Sequence, residues 1–127
     1  MNFDLENKKI LITGASGGIG TSLCQKFIEM KSNLILTSSN NNKLKELKNV
    51  YGKKHLYYQI DLSDPNSTAN SFLTIANENT DIDVLINNAG TTNDNLFLRM
   101  KEEQWNEVIN VNLNSNFYII KAILPNM

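Results

Sequence analysis

The stretch Thr13–Gly20 reads TGASGGIG and lies between an apolar run, KILIT, and a segment with helical spacing. Gly14, Gly18 and Gly20 allow the backbone to turn sharply, to approach a pyrophosphate and to pack the following helix tightly on a sheet. The start of that helix presents unpaired N–H groups and the positive end of its dipole to a phosphate. The spacing G-x-x-x-G-x-G differs from the dinucleotide fingerprint G-x-G-x-x-G, and a purely structural turn is the alternative. Because the turn lies between a buried strand and an amphipathic helix, we interpret it as a phosphate-binding turn.

Four short apolar runs predict buried strands. Runs of this length that are apolar on both faces are typical of a parallel sheet covered by helices on each side. The predicted strands are Lys9–Thr13, Asn33–Thr37, His55–Ile60 and Asp83–Ile86.

Segments with helical spacing separate and follow these strands. Asp64 and Pro65 form a cap followed by a first-turn proline, and they begin the third predicted helix. A fourth helical region begins near Lys101 and carries apolar residues from Trp105 to Ile120. The apolar residues that mark the first two helices are Ile19, Leu23, Phe27 and Met30, and then Leu44 and Leu47 within Lys43–Val50.

The alternation of strands and helices predicts an α/β fold with a doubly wound, Rossmann-like parallel sheet and right-handed crossovers. In this topology the fourth strand lies beside the first and has a further strand on its far side. Residues 1–127 are therefore interpreted as the N-terminal four-strand part of one dinucleotide-binding domain. We expect the domain to be incomplete at the C-terminus, because the outer edge of an apolar fourth strand would otherwise be open.

Composition argues against several classes of function. The formal net charge is −1 and basic residues do not cluster with aromatic ones, so neither nucleic acid nor a membrane surface is an expected partner. No apolar run approaches the ~18 residues that span a bilayer. The single cysteine, Cys24, cannot form an internal disulfide, and no Cys/His cluster indicates a metal site. We expect a cytoplasmic protein, or one of an organelle matrix, in which Cys24 is packed.

Polar residues follow the third and fourth predicted strands, at the sheet edge where doubly wound folds bind ligands. Asp61 can accept a hydrogen bond from an adenine amino group, or it can serve as a cap or turn residue, although Asp64 is the better cap candidate. The run Asn87–Gly90, NNAG, lets the backbone pass close to a flat ligand, or its amides only tie strands together. Both interpretations hold if Asn87 braces the sheet and the following residues line the ligand.

Other conspicuous residues have structural interpretations. His55 opens a strand without an acid–base partner. Trp105 and the apolar stripe around it belong to the core or to a subunit interface. Arg99–Glu103 is interpreted as a solvated helix start rather than a binding patch.

Taken together, these motifs resemble the short-chain dehydrogenase/reductase family. The combination consists of TGASGGIG, an aspartate at the end of the third strand, NNAG, and VNL at Val111–Leu113. The segment Thr92–Leu113, TNDNLFLRMKEEQWNEVINVNL, is similar to the 3-oxoacyl-[acyl-carrier-protein] reductases of bacterial-type fatty-acid synthesis. The resemblance extends over the whole chain, Met1–Met127.

The resemblance implies roles for the residues at matching positions. Asn112 corresponds to the active-site asparagine of the family, which interrupts the helix and holds a water in a proton relay. A solvent-facing or helix-kinking amide is the alternative for Asn112. The implied cofactor-binding residues are Gly14, Ala15, Ser16, Gly17, Ile19, Gly20, Ser39, Asp61, Leu62, Asn88, Ala89 and Gly90.

The implied cofactor is NADPH rather than NADH. Relatives that use NADPH often carry a basic residue at Gly17 and another near Ser39, and neither is present. However, Leu34–Asn42 contains no acid that could accept a hydrogen bond from the ribose 2′-hydroxyl, as NAD enzymes prefer. Ser38, Ser39 and Asn40 can instead donate hydrogen bonds to a 2′-phosphate.

Family members reduce a ketone with a serine and a Tyr-x-x-x-Lys pair on the next strand and helix, and no Tyr-x-x-x-Lys occurs in this chain. The resemblance therefore implies an N-terminal fragment of an NADPH-dependent 3-oxoacyl-[acyl-carrier-protein] reductase. The parent enzyme would be a homotetramer that reduces carrier-protein-bound 3-oxoacyl thioesters to 3-hydroxyacyl thioesters, and we expect these 127 residues alone to be inactive. The alternatives are a non-catalytic dinucleotide-binding module and a reductase of another ketone or alcohol.

Overall fold

The computed structural model describes residues 4–127, and a four-stranded parallel sheet forms its centre. The first three residues of the predicted 1–127 domain lie outside the described residues. The strands are β1 (Lys9–Ile12), β2 (Asn33–Ser38), β3 (Leu56–Gln59) and β4 (Val84–Ile86), in the order β3-β2-β1-β4. Each differs from its predicted bounds by at most one residue at either end. β4 pairs with β1, as predicted.

Helices connect the strands and cover the sheet. The α-helices are α1 (Gly18–Glu29), α2 (Asn41–Tyr51), α3 (Pro65–Glu78), α4 (Glu102–Ile109) and α5 (Ser115–Ile123). A π-helical turn, Asn110–Asn114, joins α4 to α5, and short 3-10 turns lie at Phe97–Arg99 and Leu124–Asn126. Within residues 4–127, no helix is both long enough and apolar enough to cross a membrane.

Side chains of β1 alternate between two hydrophobic clusters, one on each face of the sheet. Leu11 and its β2 partner Ile35 belong to the cluster that includes residues of α3 and α5. Ile10 and Ile12 belong to the cluster that includes residues of α1 and α2. Helices therefore cover both faces of β1 and β2, which explains why both strands are almost continuously apolar. The predicted α/β, doubly wound sheet is confirmed.

β3 is less buried than the prediction of a strand apolar on both faces implies. Leu56 is 40% exposed, and Tyr57 and Tyr58 are half-buried. Within the described part of the chain β3 pairs only with β2, so it forms an edge of the sheet. His55 precedes the strand and is buried, and its Nδ1 accepts a hydrogen bond from the Leu34 N–H (3.0 Å). The structural interpretation of His55 agrees with this contact.

The predicted apolar face of α1 is confirmed at Leu23 and Phe27, which pack against the core, and is wrong at Ile19 and Met30. Ile19 is 73% exposed, and Met30 lies just beyond the helix and is also exposed. The fully buried positions are Gly20 and Cys24, one turn apart. Gly20 sets this phase because it packs directly against the glycine-rich turn, which rotates Ile19 outward. Cys24 is packed in the core, as expected.

The starts of α2 and α3 follow from local capping. The Asn40 side chain accepts a hydrogen bond from the Lys43 N–H (3.0 Å) at the start of α2, whose buried residues are Leu44 and Leu47, as predicted. At α3, Asp64 Oδ1 accepts hydrogen bonds from the N–H groups of Asn66 (3.0 Å) and Ser67 (3.3 Å). These bonds satisfy helix N–H groups that have no partner within the helix. The prediction that Asp64 is the cap is confirmed.

The fourth helical region is divided rather than continuous. The π turn separates α4 from α5, and α5 packs against α3 on one face of the sheet. Trp105 in α4 is 54% exposed, so the interpretation of Trp105 as a core residue is wrong. Further large apolar side chains are exposed along the same helical region, namely Leu113, Phe117, Ile120 and Leu124.

Candidate cofactor-binding site

A cleft of about 470 Å³ lies where the carboxyl ends of all four strands meet the start of α1. This is the position at which doubly wound sheets bind ligands. Every predicted cofactor-binding residue except Ala15 lines this cleft. The predicted residues that line it are Gly14, Ser16, Gly17, Ile19, Gly20, Ser39, Asp61, Leu62, Asn88, Ala89 and Gly90.

The glycine-rich turn is compatible only with glycine at two positions. Gly14 has a φ of +62°, and a Cβ there would lie 2.8 Å from the Ala89 Cα. A Cβ on Gly20 would overlap the Gly14 carbonyl oxygen and the Ala15 backbone. The N-cap of α1 is Gly17, which has no side chain to bond the first N–H groups of the helix. These N–H groups, together with the helix dipole, are suited to bind phosphate.

Ala15 does not line the cleft, unlike the rest of the predicted set. Its side chain is fully buried in the cluster that contains Ile10 and Ile12. Its N–H donates to the carbonyl oxygen of Thr37 (3.0 Å), which ties the turn to β2. Ala15 therefore anchors the turn from below, because the backbone directs its methyl group into the core.

Thr13 and Asn88 connect the glycine-rich turn to the segment after β4. Thr13 Oγ1 accepts hydrogen bonds from the N–H groups of Asn88 (3.1 Å) and Ala89 (3.0 Å). Asn88 Nδ2 donates to the carbonyl oxygens of Thr13 and Gly14, both at 3.1 Å. The bracing amide is therefore Asn88, and the prediction of Asn87 for this role is wrong. Asn87 is exposed, because Thr13 lies opposite Asn88 rather than Asn87.

Asp61 is a turn residue, as one of its two interpretations predicts, and its carboxylate also lines the cleft. Its Oδ1 accepts hydrogen bonds from the Ser63 N–H (2.9 Å) and the Ser63 hydroxyl (2.7 Å), which shapes the turn after β3. The carboxylate is exposed and also lines the cleft. One oxygen thus holds the turn, and the carboxylate still faces the space in which a ligand would bind.

Hydroxyl groups of the glycine-rich turn and of the end of β2 also line the cleft. Ser16 and Ser38 share a hydrogen bond between their hydroxyl oxygens (2.7 Å), and Ser38 Oγ also accepts from the Asn40 N–H (3.1 Å). The Ser39 side chain is exposed, while its carbonyl oxygen accepts from Gln59 Nε2 (3.2 Å). No acidic side chain lines this end of the cleft among the described residues.

Asn112 lies in the π turn, beside the cleft rather than in its lining. Its Oδ1 accepts from the Thr91 N–H and its Nδ2 donates to the Thr91 carbonyl oxygen, both at 2.8 Å. A Cβ on Gly90 would lie 3.3 Å from Asn112 Oδ1. The Asn112 carbonyl oxygen accepts from Asn116 Nδ2 (3.1 Å). The helix is interrupted at Asn112, as the resemblance implies.

Several cleft residues were absent from the sequence-based set. Glu107 and Val111 reach the cleft from α4 and the π turn, and Ser63 and Thr91 line it from the loops after β3 and β4. Glu107 and Val111 are four residues apart, so they share one helix face. No helical spacing from Asn112 marks them in the sequence, because they lie five residues and one residue before it.

A family model matches nearly the whole chain. It is described as short chain dehydrogenase, and the match extends over residues 8–127. The chain belongs to the short-chain dehydrogenase family.

Curated short-chain dehydrogenase relatives are similar along nearly the whole chain. The 3-oxoacyl-[acyl-carrier-protein] reductase FabG of Escherichia coli is 36% identical over 127 residues, which is 100% of this chain and 51% of the relative. The reductase of the same name from Salmonella typhimurium is 35% identical over 122 residues, which is 96% of this chain and 50% of the relative. The chain thus spans about half the length of the curated relatives it matches.

A solved short-chain dehydrogenase structure has the same fold. It is a metagenomic short-chain oxidoreductase in complex with NADP, and it superimposes with a TM-score of 0.87 at 27% sequence identity. The match covers 98% of this chain and 58% of that structure.

The cleft of this short-chain dehydrogenase chain offers three kinds of group to a ligand. These are backbone N–H groups at the start of α1, hydroxyl and amide groups at the strand ends, and the two carboxylates of Asp61 and Glu107. Among residues 4–127, no three His, Cys, Asp or Glu side chains are grouped so that they could hold a metal ion. The arrangement is suited to hold an extended, phosphate-containing molecule across the sheet edge.

Proposed function

We propose that this chain is the cofactor-binding part of an NADPH-dependent 3-oxoacyl-[acyl-carrier-protein] reductase. The observation that carries the proposal is the cleft, which combines the glycine-rich turn, Asp61, the NNAG segment and the nearby π turn at Asn112. The similarity to reductases of that name from two bacteria supports the choice of substrate. The whole enzyme would reduce 3-oxoacyl thioesters on acyl-carrier protein to 3-hydroxyacyl thioesters.

Each part of the cleft has a proposed role toward the dinucleotide. The N–H groups at the start of α1 hold the pyrophosphate, because Gly17 leaves them without a side-chain cap. Asp61 and Leu62 contact the adenine, and Asn88–Gly90 line the adenosine ribose and the approach to the nicotinamide. Bound NADPH supplies the hydride.

NADPH is the proposed cofactor because of the groups at the end of β2. Ser16 and Ser38 place two hydroxyls together, and Ser39 is exposed at the same end of the cleft. A carboxylate there would repel a 2′-phosphate, and Leu34–Asn42 contains none. The similar solved structure holds NADP, which supports this choice.

Asn112 is proposed to act in catalysis by organising a proton path at the π turn. Its side chain is bonded in both directions to Thr91, directly after the NNAG segment. The proton donor of the reaction is proposed to be a Tyr-x-x-x-Lys tyrosine, which these 127 residues do not contain. The chain alone is therefore expected to bind the dinucleotide without reducing a ketone.

The exposed apolar stripe supports a homotetrameric parent. Large apolar side chains are solvent-exposed on α4, the π turn and α5, namely Trp105, Leu113, Phe117 and Ile120. An exposed patch of this kind often marks an interface between proteins. We assign it to contacts between copies of the parent enzyme.

The cofactor proposal is tested by calorimetric titration of NADPH and NADH into the chain and into a matched pair of glycine variants. Gly14→Val and Gly52→Val both place a β-branched residue at a positive φ, +62° and +88°, but only Gly14 lines the cleft. We expect saturable binding of NADPH to the wild type and to Gly52→Val, and no measurable binding to Gly14→Val.

Unchanged NADPH affinity in Gly14→Val would refute the assignment of the glycine-rich turn as the pyrophosphate site.

The substrate is tested by following NADPH oxidation with a 3-oxoacyl thioester in the parent enzyme. Oxidation by the 127-residue chain itself would contradict the proposed location of the proton donor.

A further inference from the structure

The segment after β4 is held mainly by side-chain contacts with α4 and the π turn. Residues 91–96 form no regular secondary structure. Thr91 is bonded to Asn112 in both directions, and two residues later Asn93 Nδ2 donates to Glu107 Oε2 (2.8 Å). Gln104 Nε2 donates to Asn93 Oδ1 (3.0 Å), so both ends of the Asn93 amide are engaged.

Glu107 is half-buried and contributes directly to the cleft lining. One turn further along the helical region, Asn110 Nδ2 donates to the Ser63 carbonyl oxygen (3.2 Å). This bond holds the end of α4 against the turn that follows Asp61. The helical region that carries Glu107 and Asn110 therefore connects the segment after β4 to the side of the cleft formed by the end of β3.

We propose that Glu107 is a positioning residue for the dinucleotide: through Asn93 it fixes Gly90 and Thr91, which line the cleft, as the wall against which the adenosine end packs. The inference rests on the proposed cofactor function and adds a residue to it. A hydrogen bond to a carboxylate is stronger than one between neutral groups, so this contact is well suited to hold an otherwise irregular segment. A wall that is already ordered spares the ligand the entropic cost of ordering it on binding.

The contact can be broken and restored by two isosteric changes. Asn93→Asp keeps the acceptor for Gln104 Nε2 but places a carboxylate against that of Glu107. Repulsion between the two carboxylates then pushes the segment after β4 away from α4. Adding Glu107→Gln to Asn93→Asp restores the hydrogen bond in the opposite direction, with the amide now on position 107. Thr92→Asp is the matched control. Thr92 is exposed, and its replacement by aspartate adds the same charge one residue away from Asn93.

The test measures the calorimetric affinity of each variant for NADPH and for 2′,5′-ADP, which represents the adenosine end alone. We expect Asn93→Asp to weaken both ligands about tenfold, and the double variant to return to within about threefold of wild type. Thr92→Asp is expected to bind both ligands as the wild type does. Rescue by the double variant distinguishes positioning from a general loss of structure.

If Asn93→Asp binds like the wild type, or if Thr92→Asp is weakened equally, the role of Glu107 is wrong and the proposed function stands. If the wild type binds neither ligand, the proposed function fails and the inference fails with it. If circular dichroism shows that Asn93→Asp does not fold, Glu107→Gln replaces it, with about threefold weaker binding expected because the bond becomes neutral. Wild-type affinity in Glu107→Gln would then overturn the inference.

Discussion

Thr91 and Asn112 are joined by two hydrogen bonds of 2.8 Å, one in each direction, although they are 21 residues apart in the chain. The Asn112 side chain thereby pairs with the Thr91 backbone much as a neighbouring strand would. This pairing connects the segment after β4, which lines the cleft, to the π turn between α4 and α5. The cleft wall and the helix interruption are therefore one structural unit.

Loss of this pairing is expected to destabilise the chain. Asn112→Ala removes both bonds, each of which contributes about 0.5–1.5 kcal/mol, and solvent exposure favours the lower values. We expect the free energy of unfolding in urea to fall by about 1 kcal/mol. The control is Asn49→Ala, because Asn49 is an exposed residue of α2. This substitution is expected to change the free energy of unfolding by less than about 0.5 kcal/mol. Equal effects of the two substitutions would contradict the role of the pairing.

Gly20 and Gly18 are expected to respond oppositely to alanine. A Cβ on Gly20 overlaps the Gly14 carbonyl oxygen, whereas a Cβ on Gly18 meets nothing within 4 Å. Gly20→Ala should therefore lower the free energy of unfolding by about 1–3 kcal/mol, the usual cost of overpacking. Gly18→Ala should leave it unchanged or raise it, because alanine is the better helix former. Thermal denaturation of both variants checks the difference, and similar melting temperatures would contradict the close packing of Gly20 against the turn.

Ser39→Asp is expected to change the cofactor preference from NADPH toward NADH. The new carboxylate would accept a hydrogen bond from a ribose 2′-hydroxyl and repel a 2′-phosphate. Calorimetry should show NADPH affinity lowered about tenfold, which corresponds to ~1.4 kcal/mol, with NADH affinity raised. Ser39→Asn, which adds similar volume without charge, is the control. An unchanged ratio of the two affinities would show that Ser39 does not face the 2′ position.

His55 is expected to make the stability depend on pH. Burial, and secondarily the Lys54 charge, lowers the pKa of His55 below its ordinary value of 6.5. Its Nδ1 accepts the Leu34 N–H, which requires the neutral ring. As the pH falls through 6.5 toward the lower folded-state pKa, the unfolded chain takes up a proton that the folded chain does not, so stability decreases.

Urea unfolding at several pH values in this window checks the His55 prediction. The protein has a single histidine, so His55→Gln isolates its contribution. The variant should show a flatter dependence of unfolding free energy on pH between neutral and mildly acidic conditions. An identical slope in wild type and variant would exclude His55 as the cause.

Cys24 is expected to be unreactive in the folded chain. Burial raises the pKa of its thiol to about 11, and the side chain has no exposed surface. Because the thiolate is the reactive form, a disulfide reagent at mildly alkaline pH should label Cys24 only when the chain unfolds. The control is the same protein in concentrated guanidinium, where labelling should be complete within the mixing time. Rapid labelling under native conditions would show that the α1 face is not packed.

Features encoded by short spacings could be predicted from the sequence. The turn at Thr13–Gly20, the cap at Asp64 and the buried pair Leu44 and Leu47 each depend on residues within a few positions of one another. The strands are also predictable, because burial on both faces leaves continuous apolar runs. The order of β4 and β1 follows from general rules of chain topology.

Features that depend on which residues meet across the fold could not be predicted. Asn88 rather than Asn87 braces the turn because Thr13 happens to lie opposite it. Ile19 is exposed because the packing of Gly20 sets the phase of α1, which apolar spacing alone does not reveal. The contact between Asn93 and Glu107 joins two ordinary polar residues, and only the path of the loop brings them together.

The π turn at Asn110–Asn114 divides this region into parts that tolerate a change of chain length differently. A π turn accommodates one more residue than an α-helical turn would. Deleting a single residue within it would convert it to regular helix, and α4 and α5 would keep nearly the same relative orientation. Deleting a residue of α4 between Glu107 and the π turn would instead rotate Glu107 by about 100° and shift it by about 1.5 Å relative to α5. Glu107 would then leave the cleft while α5 kept its contacts with α3.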